Sequence, residues 1–199
     1  MLLGVRHESE PLVSTADHED EALPPIVVLI VEERARAAAQ LAQLLRVWGV
    51  AAAHPMTCLD EVAAYLERHS APALVLLDHS LHSHTCLEIA LWLAVRPARR
   101  RRLRIAAYTN ADEGEVRQRL RAHVVRLTHD PLLAERLLGR VGTAERAERE
   151  RRIGAALASE PAFEAWYRSL YDAHFSKRLS ISAVRLALLG LARTLPTDV

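Results

Sequence analysis

Residues 71–78, Ala-Pro-Ala-Leu-Val-Leu-Leu-Asp, decide the fold. The apolar run from Ala73 to Leu77 lacks the alternation of a half-exposed strand. It reads as a central strand buried on both faces, as in a parallel sheet covered by helices on either side. The run stops at a carboxylate, Asp78. The same pattern recurs on both sides of it: Val28-Leu29-Ile30-Val31 runs into Glu32-Glu33, and Ile105-Ala106-Ala107-Tyr108 runs into Thr109. Val124-Val125-Arg126-Leu127 leads to Asp130-Pro131. In a parallel α/β sheet the carboxyl ends of the strands open onto one crevice, where ligands bind.

Helical spacing fills the intervals. Ala37, Leu41, Leu44, Leu45 and Trp48 predict a helix over 33–48, closed by Gly49. A short strand at 50–53 leads to a helix from about Thr57, with Val62, Tyr65 and Leu66 facing inward. A helix over 86–96 stops at Pro97, and a strand follows at 103–108. A short helix at 112–122 precedes a fifth strand at 124–128. After Pro131, residues Leu133, Leu137, Leu138 and Val141 mark another helix. Strand and helix alternate five times, which predicts a doubly wound, five-stranded parallel sheet followed by a small all-α C-terminal region.

The order and spacing of these strand ends resembles the receiver domain of response regulators over about residues 26–143. The resemblance implies a flavodoxin-like fold in two-component signalling or phosphorelay. It makes Asp78 the candidate phosphoacceptor, Glu32 and Glu33 the acids that, with Asp78, would hold Mg²⁺, and Thr109 the switch hydroxyl. The family has Asp at both metal positions. A glutamate is one methylene longer, which weakens a near-octahedral site. The family's lysine after the fifth strand maps to Asp130, an anion in an already acidic pocket with Glu32 and Glu33. Its aromatic switch position maps to Leu127, and its Pro-Gly after the acceptor to His82-Ser83.

Three further features stand out. The loop after Asp78 places His79, His82, His84 and Cys86 together, an alternative set of ligands for a soft metal such as Zn²⁺. Arg99 to Arg102, with Arg104, form a basic run at the end of the sheet opposite the crevice, read as an exposed loop without a partner. Lys177, the only lysine among 199 residues, is followed by Arg178, and Arg185 lies on the next helical segment. These three are candidate contacts to DNA or a protein partner.

Four segments are expected: an acidic disordered tail over 1–25, the receiver-like domain over 26–143, a charged connecting helix over 144–160, and a helical output or dimerisation module over 161–199. Net charge is +1, half the residues are apolar, and there are two cysteines. That composition favours a globular chain with a real core, reduced thiols and a cytoplasmic location, without a membrane span. The functional expectation is an atypical response regulator. It would act in signalling or transcriptional control through protein contacts, without requiring phosphorylation, as a homodimer or with a histidine kinase as partner. The alternative is a DNA-binding regulator whose C-terminal helices read DNA. An enzyme is not expected: an aspartate-nucleophile hydrolase normally has a second acid two residues on, where this chain has Ser80.

Overall fold

The computed structural model describes residues 26–79, 84–139 and 142–196. The expected tail over 1–25 therefore lies outside the described residues. Five parallel strands form one sheet: β1 (Val27–Val31), β2 (Ala52–Met56), β3 (Ala73–Leu77), β4 (Leu103–Thr109) and β5 (Ala173–Ser176). Their spatial order is β2-β1-β3-β4-β5, the flavodoxin-like order, which reverses direction between β1 and β3. All five residues of β3 are buried, as its unbroken apolar run requires.

Strand residues alternate between two helical layers. Val28, Ile30, Leu74, Leu76 and Ala106 pack with α1 (Ala35–Val47) and α9 (Ile181–Ala192). Leu29, Val31, Val75, Leu77, Ile105 and Ala107 face the other layer. That layer begins with α2 (Leu59–Arg68), α3 (Thr85–Ala94) and the single turn α4 (Pro97–Arg100). Every residue of α3 from Cys86 to Leu93 is buried, because further helices cover the side turned away from the sheet.

Those helices are the main departure from expectation. The connection from β4 to β5 carries four of them: α5 (Glu113–His129), α6 (Pro131–Leu138), α7 (Thr143–Leu157) and α8 (Glu160–Leu170). The fifth strand expected at 124–128 is the end of α5. Its β-branched pair is misleading, since Val116, Leu120, Val124 and Leu127 recur at helical spacing and are buried, while Val125 points outward at 43% exposed. Asp112 starts α5 by accepting from the Glu115 amide at 2.8 Å.

The true fifth strand lies about 50 residues later, within the segment expected to be a separate module. Over 161–199, α8 covers one layer, β5 pairs with β4, and α9 buries Val184, Leu188, Leu189 and Leu191 in the other layer. The sheet domain therefore extends through α9, with α5–α8 in its last crossover. The charged helix expected at 144–160 is α7. It is not a bare connector, since Arg149, Ile153 and Ala156 are buried.

The arginine run also differs from a partnerless loop. Arg99 donates to the Leu66 carbonyl at 2.6 Å and Arg102 to Ser70 at 3.2 Å, both at the end of α2. Arg100 donates to Leu170 at 2.9 Å, closing α8. Arg96 donates to Leu137 at 2.9 Å, closing α6. Carbonyls left over at helix C-termini need donors, and their partial negative charge favours a cation. Arg96 and Arg100 hold the ends of α6 and α8 in this way, and Arg99 and Arg102 hold the end of α2.

Candidate functional site: a lysine-bridged pair of carboxylates

Three strand ends build the site, and backbone hydrogen bonds just beyond the strands hold it in register. The Glu32 amide donates to Met56 O at 3.1 Å, Asp78 to Val31 O at 2.9 Å, and Lys177 to Thr109 O at 3.1 Å. Glu32, Asp78 and Lys177 are thereby each placed one residue past a strand. Lys177 Nζ donates to Asp78 Oδ2 at 2.6 Å and to Glu32 Oε2 at 2.7 Å. Glu32 Oε1 also accepts from the Arg34 amide at 3.0 Å. Glu32 is buried, Asp78 is nearly so, and the lysine crosses the ring of Tyr108 at 5.5 Å. A cleft of about 450 Å³ opens beside them, lined in part by Glu33, Thr109 and Arg178.

The two carboxylates titrate differently. Burial, reinforced by the neighbouring Glu32, pushes Asp78 up to about 6, against the pull of Lys177. Burial acts upward on Glu32 as well. Hydrogen bonds from Asp78, Lys177 and the Arg34 amide outweigh it and hold Glu32 down at about 2. The ammonium thus stabilises one ionised carboxylate firmly and shares the second. Burial opposes the charge on Lys177, but its two acidic partners raise its pKa overall.

Thr109 is buried and already engaged. Its Oγ1 donates to the His79 carbonyl at 3.0 Å and accepts from the Ala111 amide at 3.2 Å. The same carbonyl accepts from Arg119 of α5 at 3.3 Å. The His79 ring points into the core, where Nε2 meets the Tyr171 hydroxyl at 3.0 Å. Burial lowers its pKa to about 3, so the ring is neutral. Its Nδ1 has no partner among the described residues.

Several expected site residues fall elsewhere. Asp130 is not in the crevice; it caps α6 by accepting from the Leu133 amide at 3.0 Å and lies 3.6 Å from Arg126. Lys177, expected as a surface contact to DNA or a partner, takes the lysine position that had been assigned to Asp130. With the family's spacing retained, the aromatic position moves from Leu127 to His174. Arg178 is exposed at the cleft, and Arg185 is partly buried on α9.

The proposed histidine–cysteine metal loop does not assemble. His79 pairs with Tyr171, His84 stacks on His123 at 5.2 Å, and Cys86 Sγ donates to Val31 O at 3.7 Å. His82 lies outside the described residues. Among the described residues no group of three or more His, Cys, Asp and Glu side chains is arranged to hold a metal ion. Glu32 and Asp78, two of the three expected Mg²⁺ ligands, are both engaged by Lys177.

No family model and no curated protein matches the sequence. The solved structures similar to it include two response regulators. A response regulator receiver protein from Burkholderia phymatum is 17% identical, covers 83% of this chain and 96% of its own, and has a TM-score of 0.45. The Mn(2+)-bound form of response regulator Rcp1 is 15% identical, covers 88% of this chain and 98% of its own, and has a TM-score of 0.42. The chain's own topology defines a flavodoxin-like fold: parallel strands in the order β2-β1-β3-β4-β5, with acids after β1 and β3, a lysine after β5, and four helices in the crossover before the last strand. Among the described residues no helix is long and apolar enough to cross a membrane.

Proposed function

We propose that this chain is a receiver-class signalling module that works through contacts with protein partners and does not depend on phosphotransfer to Asp78. The observation that carries this reading is Glu32, one methylene longer than the family's aspartate, which accepts from Lys177 Nζ at 2.7 Å and so shares with Asp78 the ammonium that would otherwise meet a phosphoryl group. With Thr109 bonded to the His79 carbonyl, the groups that would meet an incoming phosphoryl group are already satisfied. The partner would be a histidine kinase, a downstream regulator or a second copy of the chain.

Intact mass after incubation with Mg²⁺ and acetyl phosphate tests the reading, with Asp78→Asn as control. An unmodified mass supports it. An adduct of one phosphoryl group that disappears in Asp78→Asn overturns it and makes the chain a phosphorylated switch.

A further inference from the structure

At the opposite end of the sheet, a cleft of about 460 Å³ lies where α7 and α8 meet α4 and the end of α3. Its size falls in the range of small-molecule sites, roughly 300–1,000 Å³. Four alanines and Leu170 line it, along with the half-buried ring of Trp166 and three guanidiniums, Arg100, Arg101 and Arg152. Among the described residues no carboxylate lines it. The alanines leave space beside the indole, and Phe163, tilted against Trp166 at 5.5 Å, supports the ring from behind.

The three arginines are unequally engaged. Arg100 is held by Asp172 at 2.8 Å and by carbonyls, yet its buried Nε has no partner among the described residues. Arg152 shares one carboxylate, Glu148, with Arg151, so two guanidiniums face a single negative charge. Arg101 is exposed and forms no ion pair among the described residues. Guanidinium groups match phosphate and carboxylate oxygens with paired donors, and an indole face accepts a flat ring.

We infer that this cleft binds a small organic anion with a planar ring, its ring against Trp166 and its phosphate or carboxylate on Arg101 and Arg152. Neither the ring nor the anion alone fills both halves. The site stands apart from the Lys177 crevice, so its failure would leave the reading of Asp78 untouched. It adjoins Arg100, whose partner Asp172 also accepts from the Ile105 amide at 2.7 Å and leads into β5. A bound anion would therefore bear on the residue that docks the last strand.

Isothermal titration of the full chain tests this with AMP (a ring phosphate), benzoate (a ring carboxylate), adenosine and inorganic phosphate. AMP or benzoate is expected to bind at least about tenfold more tightly than adenosine and phosphate, and whichever is tighter identifies the anionic group. Arg101→Ala and Arg152→Ala, both at exposed positions, should each weaken that binding at least about tenfold with the melting temperature unchanged. Trp166→Phe should weaken the ring's contribution and leave phosphate unaffected. Ring anions that bind no better than their halves would overturn the assignment, as would wild-type affinity in Arg101→Ala.

Discussion

Lys177 donates to Asp78 at 2.6 Å across 99 residues of chain, and the whole insertion of α5–α8 lies between them. The contact joins the end of an edge strand to the end of the central one. It decides how two carboxylates share a nearly buried pocket.

Removing the cation is therefore expected to be costly. Lys177→Met leaves Glu32 and Asp78 facing each other without compensation, at side-chain exposures of 6% and 10%. Breaking a buried ion pair from one side costs about 3–5 kcal/mol, and the partial exposure of the lysine reduces this to about 2–3 kcal/mol. Urea denaturation at neutral pH measures it. The loss should shrink under mildly acidic conditions, where the carboxylates can share a proton; a variant as stable as the parent would contradict the bridge.

Stability should also depend on pH in a defined direction. Asp78 rises from 3.8 to about 6 on folding through burial and its neighbour Glu32. Between about pH 4 and 6 the folded state keeps a proton that the unfolded chain has released, so stability falls as pH rises through that window. Glu32, lowered from 4.5 to about 2, acts the other way: its contribution is present above 4.5 and is lost as pH falls toward 2. Urea midpoints across the upper window should flatten in Asp78→Asn, and an unchanged slope there would assign the proton to another group.

Tyr171→Phe removes the partner of His79 Nε2 and leaves a buried imidazole with neither nitrogen satisfied. The expected cost is about 1–3 kcal/mol. Replacing both partners, as His79→Leu with Tyr171→Phe, should recover part of the loss, since two apolar groups leave nothing unpaired. Strictly additive losses in this double-mutant cycle would show that the two side chains do not act as a pair.

Truncation after Leu157 tests whether the C-terminal part is integral to the sheet. It deletes α8, β5 and α9 and uncovers Val28, Ile30, Leu74 and Leu76 along with the edge of β4. The expected product is aggregated or binds hydrophobic dye, with no cooperative melt. A folded, cooperative fragment would restore the picture of a receiver with a separate output module.

Strands β1, β3 and β4 were legible because each is an apolar run ending in a polar residue, whereas β2, Ala52-Ala53-His54-Pro55-Met56, has no such run and was placed about two residues early. The fifth was not legible. Ala173-His174-Phe175-Ser176 is a four-residue edge strand with one strongly apolar side chain, and an edge strand paired on one side requires little more. The Val124-Val125 pair in α5 gave a stronger β signal than the real strand. The chain's single lysine, just beyond a short segment framed by two apolar helices, was the available clue.

The sequence by itself determined the layered parallel sheet, the carboxylates at the ends of β1 and β3, and the threonine after β4, because these follow from local hydrophobic period and from where each run stops. Only the tertiary structure decided which segment closes the sheet and which cation enters the crevice. Both depend on a pairing between β4 and β5 across more than 60 residues. That pairing is selected by burial of the inserted helices on one face and of α9 on the other, and no local pattern encodes it.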